Sequence, residues 1–450
     1  MITYFIQIIQ SKTSISKDYI LLLHLLNAAV LMNFHQFIFS QLAVSITFIF
    51  ITFIALIDIK YWRILFVNFC ISGLILLINF PRIGNHSTFL LISIIMVLVL
   101  FFRKILLEKK LSKSLVVYLF RIFLVVVYFY AGFHKLNKDF FNPCVSCVNY
   151  INEYNISNIT FSNYKISHDI SVLIQCFTII LELILPLGLL HYRTRKITTI
   201  LLLGFHFYLI FAGFVGFASV VLFLIIGGII NFSENENRFS TIRIYVFFII
   251  LAIVLRLFMA KIGIDSNQLV FYQGIIFAFG WVYFVVKFIK ELKIRPTIFY
   301  KKHIYIIAIM VLCISFWSLK TYIGLGNQGN LTMFSNLVTA SKHNNHLLID
   351  TDKIRLFNYE NDCVKFIDFV NPDNQNDTLS GYYLPMVEFQ YYIKHWEEKH
   401  HKPIKCVLEY QNKRYEIKNL SQSTFNNGKW WYKYLSFRRI QEDSPNECRW

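Results

Sequence analysis

A succession of long apolar runs, separated by short polar loops, dominates this chain. A helix of about 17–25 apolar residues is long enough to cross the hydrocarbon core of a bilayer. The sequence predicts about eleven such spans, at 19–37, 40–57, 62–80, 87–102, 115–135, 169–191, 197–214, 216–231, 242–260, 267–288 and 303–320. Hydrophobic residues make up 56% of the chain and charged residues 16%, which excludes an ordinary soluble enzyme. We therefore predict a polytopic all-α transmembrane bundle.

The run between residues 197 and 231 has two interpretations. Several glycines punctuate it, and glycine commonly marks a turn or a break in a helix. Two spans joined by a tight turn are compatible with this pattern. One long helix followed by a re-entrant piece is compatible with it as well.

The composition changes abruptly after residue 320, where polar residues become frequent and long apolar runs disappear. Short segments at 346–349, 354–357, 364–370, 406–409 and 415–417 predict strands. A helix is predicted to begin at Pro385. Its apolar stripe consists of Met386, Phe389, Ile393 and Trp396. We therefore expect a transmembrane domain over 1–320 and a soluble, β-rich α+β domain over 321–450, large enough for its own core.

Lysine and arginine residues predict the orientation of the bundle. The loops 103–114, 193–196 and 287–302 are strongly basic, and short basic loops stay on the cytoplasmic side. Eleven spans place all three loops on that side, and place the loop 137–168 and everything after residue 320 outside. The net charge of +18 then indicates contact with anionic membrane lipid, not with nucleic acid. No cleavable signal peptide is expected from residues 1–17.

Cys144 and Cys147 form a single C-x-x-C motif in the loop 137–168. No second pair follows at the spacing of a zinc site. The motif therefore indicates a local disulfide or two free thiols, and we predict no metal site. The loop itself, rich in Asn and Tyr, fits either a lid over a pocket or an ordered external loop.

The chemically most suggestive stretch closes the fifth run, where His134 and Lys135 stand side by side at the rim of an otherwise neutral helix. Gly132, one turn earlier, allows another group to approach the backbone closely. Glu182 and His206 lie in the middle of later runs, and His86 begins the fourth run from the same face. Ionisable groups at membrane depth usually face the bundle interior or a wet cavity. These residues therefore predict a pocket around Lys135.

Each of these residues also has an ordinary structural interpretation. A single buried histidine or glutamate can make a hydrogen bond between packed helices, which applies to His206 and Glu182. A lysine at a helix end can extend its amine to the membrane surface, which applies to Lys135. Several such groups around one helix rim favour the pocket.

The stretch Tyr130–Phe140 resembles the vitamin K-dependent γ-carboxylase family and its bacterial relatives, the horizontally transferred transmembrane domain proteins. In that family an aromatic residue and Ala-Gly precede a pair of lysines, where this chain has His134 and Lys135. The lysine that matches Lys135 is the base with which the family deprotonates reduced vitamin K. The histidine in place of the first lysine makes the local field less positive.

Three further stretches agree with the family and occur in the same order. They are Gly84-Asn-His86-Ser at the start of a span, Gly204-Phe-His206 followed by 213–219, and Met333-Phe-Ser-Asn-Leu337 followed by 345–348. Together the four stretches cover most of residues 60–400. The chain has no counterpart of the long C-terminal extension with which animal carboxylases hold a propeptide, so protein glutamate carboxylation is not the expected activity.

The resemblance implies an enzyme that oxidises a reduced naphthoquinone, menaquinol, with O2, and carboxylation of a second substrate is a further implied step. Lys135 would be the base, His134, His206 or His86 would stabilise the quinol anion, and Glu182 would orient one of those histidines. The expected cofactor contacts are Tyr130, Gly132, Phe217 and Ser219. Expected partners are membrane lipid, the quinone and a protein or peptide substrate. The expected location is the bacterial inner membrane, with the C-terminal domain on the periplasmic side.

Two other classes of function fit the same sequence. In a non-enzymatic membrane module, the outer domain would bind a partner or assist modification of a surface protein, and quinone analogues would not bind. In a transporter, Gly213 and Gly216 near His206 would mark a broken helix. Repeat halves with paired broken helices, which many transporters contain, are not visible in the sequence.

Overall fold

The computed structural model describes residues 17–34, 62–105, 113–229, 238–291, 301–340, 343–373, 380–400 and 403–441, together with residues 296, 445 and 448. The predicted span 40–57 lies outside these residues. The N-terminal part of the described chain is helical, and a small antiparallel sheet follows it.

Thirteen helices occur in the described chain. They are α1 (Lys17–Phe34), α2 (Trp62–Asn79), α3 (Asn85–Ile105), α4 (Lys113–Phe133), α5 (Cys147–Thr160), α6 (His168–Leu183), α7 (Arg195–Ile210), α8 (Val215–Ile229), α9 (Arg238–Lys261), α10 (Ser266–Glu291), α11 (Ile304–Leu319), α12 (Thr351–Ile354) and α13 (Met386–His400). The sequence did not predict α5, which lies in the segment 137–168 that we expected to be a loop.

The predicted count of eleven spans is not supported. Among the described residues, four helices are long and apolar enough to cross a membrane, judged by length and composition: Ser114–Phe133, His168–Leu189, Ser240–Lys261 and Gln268–Lys290. Five further apolar helices are shorter, among them α1 and α8. Because the orientation was counted from eleven spans, it stays a prediction, as does the domain boundary at residue 320.

Glycine and proline set the ends of the helices around the predicted site. Pro186 lacks an amide hydrogen, so α6 ends at Leu183 and the chain continues as a 3-10 turn over Leu185–Leu189. Gly213 has φ of 86°, and a Cβ there would lie 2.2 Å from Val270 Cγ1. The chain therefore turns between α7 and α8, and 197–229 forms two separate helices.

Helix α8 lies at the centre of the helical part and packs against α1, α3, α4 and α7. All of its residues from Ala218 to Ile229 are buried. Gly228 allows α4 to approach closely, because a Cβ there would lie 3.2 Å from Arg121 Cγ. The guanidinium of Arg121 also donates to the carbonyl of Gly228 at 2.6 Å. The core around α8 thus fixes the orientation of α4, which carries the predicted site at its C-terminal end.

The C-terminal sheet has five antiparallel strands: β1 (Cys363–Asp368), β2 (Tyr382–Pro385), β3 (Cys406–Tyr410), β4 (Lys413–Ile417) and β5 (Ile440–Gln441). Their order in the sheet is β4-β3-β1-β2-β5. The strands predicted at 364–370, 406–409 and 415–417 are confirmed. Those predicted at 346–349 and 354–357 are wrong, because the first makes a single bridge between His346 and Asn137 and the second follows α12.

Helix α13 covers one face of the sheet, as its apolar stripe predicted. Met386, Phe389, Ile393 and Trp396 are all buried in the core that α13 shares with the strands. Pro385 is the last residue of β2, and the helix begins one residue later. The small α+β unit therefore contains a core of its own, separate from the one around α8.

An ion pair between the partly buried Arg82 and the buried Glu388 joins this unit to the helical part. Arg82, in the turn between α2 and α3, contacts both carboxylate oxygens of Glu388, at 2.5 and 3.0 Å. The guanidinium also donates to the carbonyl of Leu435 at 2.7 Å and lies 3.3 Å from the centre of the Tyr391 ring. Burial raises the pKa of the Glu388 carboxyl above its ordinary value, and Arg82 opposes that shift.

We expect Arg82→Ala to lower the free energy of unfolding by about 3–5 kcal/mol, because it leaves the fully buried Glu388 without its cation. Thermal unfolding of the purified protein measures this loss of stability. Limited proteolysis of the folded protein shows in addition whether the C-terminal unit opens more readily. Arg193→Ala is the control, since Arg193 is exposed and bonded to its neighbour Tyr192. Equal stability of the two variants would contradict the anchoring role of Arg82.

The C-x-x-C motif does not form a local disulfide. Cys147 instead pairs with Cys448, 301 residues later, while Cys144 is a free and exposed thiol. Sequence spacing could not reveal this pairing, because only the tertiary structure brings two residues so far apart in the chain together. The bond ties the end of the described chain to the N-terminus of α5.

We expect non-reducing peptide mapping to recover a fragment in which Cys147 and Cys448 are linked, and reduction to separate it. Disulfides persist in oxidising compartments and are rare in a reducing cytoplasm. Cys144→Ser should leave the linked fragment in place, whereas Cys147→Ser should remove it. Recovery of a fragment linking Cys144 to Cys147 would contradict the pairing.

Candidate functional site

Lys135 lies two residues beyond the end of α4 at Phe133, and its side chain points into the protein. Its amide donates to the carbonyl of Gly132 at 3.0 Å, which tightens the end of the helix. The side chain is only 3% exposed, and its amine donates to the carbonyls of Met333 at 2.9 Å and Ala131 at 3.3 Å. Lys135 is therefore not an amine extended to the membrane surface.

The partner of Lys135 is Glu182 of α6. The Lys135 Nζ atom lies 2.8 Å from Glu182 Oε2, and both side chains are buried. Gly132 makes this contact sterically possible, because a Cβ there would lie 2.8 Å from Leu183 Cγ and 3.1 Å from Glu182 Cβ. The sequence predicted that Glu182 would orient a histidine, whereas the structure pairs it with the lysine.

An apolar cavity of ≈ 170 Å³ lies beside this ion pair. Its walls come from α4, α5, α6, α7, the start of α8 and the segment at Met333. They include Lys135, Glu182, Tyr128, Thr178, Tyr208 and Phe217. Phe177 also lines the cavity and is 57% exposed on the outer face of α6. We call this space the apolar cavity; it reaches the outer surface of the helices at Phe177.

Tyr128 connects His206 to the apolar cavity. The phenolic oxygen of Tyr128 is in hydrogen-bond contact with Nε2 of His206. The imidazole itself is fully buried and packs edge-on against Phe217 at 5.0 Å between ring centres. His206 therefore acts on the cavity through Tyr128, and does not line it.

Sequence reasoning missed Tyr128, although a signal for it was present. Residues at i, i+3 or i+4 and i+7 share one face of a helix. Tyr128, Ala131 and Lys135 have this spacing, and all three line the apolar cavity. Tyr128 on α4 and Lys135, two residues beyond the end of that helix, therefore both reach the apolar cavity.

His134 points away from the apolar cavity. Its Nδ1 lies 2.8 Å from the hydroxyl of Tyr322, whose ring packs edge-on against His346. His346 Nδ1 accepts the amides of Leu348 and Ile349, so its Nε2 carries the proton that is donated to the carbonyl of Phe133 at 3.1 Å. Burial lowers the pKa of His346, consistent with a neutral ring. This cluster of rings supports the end of α4 from the side opposite Lys135.

His86 lines a second cavity, of ≈ 250 Å³, next to the first. Phe217, Met333 and Phe334 line both spaces and separate them. Phe334 has φ of 50° and its ring packs on Phe214 at 4.6 Å. His86 is therefore a neighbour of the Lys135 site across a wall of aromatic side chains.

The four expected cofactor contacts are distributed unevenly. Phe217 lines both cavities, whereas Gly132 shapes the packing of α4 on α6. Tyr130 is buried, with its ring 6.0 Å from that of His134. Ser219 is buried and donates to the carbonyl of Val215 at 2.9 Å. Of these, Phe217 is the residue that the structure brings to the cavity beside Lys135.

Within the described residues, no three His, Cys, Asp or Glu side chains are grouped so that they could hold a metal ion. No protein-family model, no curated protein and no solved structure matches this chain. The resemblance to the carboxylase family therefore rests on the four sequence stretches alone.

We expect Lys135→Met to lower the free energy of unfolding by about 3–5 kcal/mol, because it leaves Glu182 buried without a partner. The double variant Lys135→Met/Glu182→Met removes both charges and should be more stable than Lys135→Met alone. Thermal or denaturant unfolding of the four proteins in this cycle measures the coupling. Additive losses in the double variant would show that the two side chains do not stabilise each other.

Proposed function

We propose that this chain is an integral membrane enzyme that oxidises a reduced naphthoquinone, menaquinol, with O2, and that Lys135 is the base that starts the reaction. The observation that carries the proposal is the buried Lys135–Glu182 pair at the edge of an apolar cavity. An amine kept from water, beside a space that suits an apolar ring, is the arrangement that base catalysis on a lipid-soluble quinol requires.

The Lys135–Glu182 pair supplies the proton acceptor. Only a neutral amine can accept a proton, so this mechanism requires that the lysine proton pass to Glu182 before the quinol reacts. The resulting amine can then take the proton of a quinol hydroxyl in the cavity. In the implied reaction, one oxygen atom of O2 forms the 2,3-epoxide of the quinone and the other leaves as water, which takes up both quinol hydrogens.

Tyr128 supplies the group that stabilises the quinol anion. When His206 carries its proton on Nε2, it donates to the Tyr128 oxygen, and the phenolic O–H is then free to donate into the cavity. A preorganised donor at a developing oxyanion contributes about 3–4 kcal/mol to the stabilisation of a transition state. Tyr128 and Lys135 both line the apolar cavity, so the donor and the base can contact the same ligand.

The size of the apolar cavity favours a ring system with its tail outside. At ≈ 170 Å³ it is smaller than the roughly 300–1,000 Å³ of a usual small-molecule site. The opening at Phe177 leads to the exposed apolar face of α6, which includes Leu173 and Ile180. A prenyl tail can extend along that face, in contact with membrane lipid.

We place the protein in the bacterial inner membrane, with the C-terminal unit on the periplasmic side. Basic loops at 103–114, 193–196 and 287–302 support a cytoplasmic location for those loops. The Cys147–Cys448 disulfide supports an oxidising environment for α5 and the C-terminal unit. The strong base that the oxidation generates would then drive carboxylation of a second substrate.

We expect Lys135→Met/Glu182→Met to abolish oxygen-dependent epoxide formation from a reduced naphthoquinone by the purified protein, because the base is gone. Tyr128→Phe should lower the rate on the order of 100-fold, since it removes one oxyanion donor. Lys138→Met is the matched control: Lys138 is in the same loop and exposed, and its loss should leave the rate unchanged.

Chromatographic detection of the epoxide measures these rates. Full activity in the double variant would remove Lys135 as the base. Failure of the wild-type protein to bind or oxidise any naphthoquinone would favour the alternative, a non-enzymatic membrane module whose outer domain binds a partner.

A further inference from the structure

The second cavity presents a different chemistry from the apolar one. Its polar walls consist of Asn85 and His86 at the start of α3, Gln328 in the segment after α11, and Arg438 before β5. None of its lining residues is an aspartate or a glutamate. The residues come from three distant parts of the sequence, so only the folded chain assembles them.

The two amide side chains offer hydrogen-bond donors to this cavity. The Asn85 side-chain oxygen accepts the amide of Leu331 at 3.0 Å. The Gln328 side-chain oxygen accepts the hydroxyl of Ser436 at 2.7 Å. Because both oxygens are occupied by the protein, the NH2 groups are the parts of these side chains left for a ligand.

Arg438 places a positive charge in the same cavity. Its Nη2 donates to the hydroxyl of Thr332 at 2.9 Å, and its backbone amide donates to Asn327. Burial lowers the pKa of Arg438 to about 10, so the guanidinium remains charged at neutral pH. A cation that is partly withdrawn from water is usually paired with an acid, and within the described residues Arg438 has none.

We propose that the second cavity is a binding site for an oxyanion, a phosphate or carboxylate group held by Arg438 and by the NH2 groups of Asn85 and Gln328. A guanidinium forms charge-assisted, often bidentate hydrogen bonds with such groups. The N-terminus of α3, where Asn85 and His86 line the cavity, adds the positive end of a helix dipole. The ligand supplies the negative charge, because no aspartate or glutamate lines this cavity.

This site does not rest on the proposed quinol chemistry, because none of its polar residues touches Lys135 or Glu182. Its position nevertheless has a consequence. The two cavities share three lining residues, Phe217, Met333 and Phe334. An anion bound at Arg438 would therefore lie next to a ligand in the apolar cavity. The anion is carried either by a soluble molecule or by the headgroup of a membrane lipid.

The test measures binding of inorganic phosphate and acetate to the full-length purified protein by isothermal titration calorimetry. Gln328→Glu is the sharpest variant, since it keeps an acceptor for Ser436 but replaces the NH2 donor with a negative oxygen beside Arg438. We expect it to weaken anion binding at least about 10-fold, as the loss of a charge-assisted hydrogen bond would. Arg438→Gln should have a similar effect.

Arg439→Gln is the matched control. Arg439 is the next residue, but it stacks on Tyr382 at 4.9 Å and does not line the cavity. Its loss should leave anion binding unchanged.

A second arm reconstitutes the protein in nanodiscs of phosphatidylglycerol or phosphatidylcholine and uses native mass spectrometry to count retained lipid. Binding of a free anion that Gln328→Glu weakens assigns the site to a soluble ligand. Retention of phosphatidylglycerol that Gln328→Glu abolishes assigns it to a lipid headgroup. The proposal is overturned if the wild-type protein binds neither, or if Gln328→Glu, confirmed as folded by its thermal transition, binds both as the wild type does.

Discussion

The contact between Lys135 and Glu182 is the constraint around which this part of the molecule is built. Two opposite charges can be held away from water only if they meet at close range and their remaining hydrogen bonds are satisfied. Gly132 lets α6 approach α4, and the carbonyls of Met333 and Ala131 accept from the amine. The pair is thus held by two helices and by a segment from far along the chain.

That distant segment, between α11 and α12, forms the roof over the end of α4. Asn137 donates to the carbonyl of Ser335, and Asn345 donates to Asp139 at 2.8 Å. Further along, Glu360 is buried and accepts hydrogen bonds from Asn327, Thr339 and Arg355. These hydrogen bonds fix the backbone of the segment between α11 and α12. That segment lines both cavities through Met333 and Phe334.

The two cavities share a wall but differ in character. One is apolar, with a single ion pair and a phenol at its edge, whereas the other is lined by donors and a cation. The two cavities are thus suited to different ligands, an apolar one and an anionic one, in adjacent positions. The aromatic side chains of Phe217 and Phe334 keep the two apart.

The sequence by itself determined most of the helical runs, three of the strands and the apolar stripe of α13. Each of these elements follows from the pattern of apolar and polar residues within a short stretch of chain. It also singled out Lys135, Glu182, His206 and His86 as ionisable groups at unusual depth. Which of them meet was decided by tertiary structure alone. Glu182 is 47 positions from Lys135, and Arg438 is 352 positions from His86. Such pairings depend on how helices pack and which segment covers them, and a pattern of neighbouring residues does not encode that geometry.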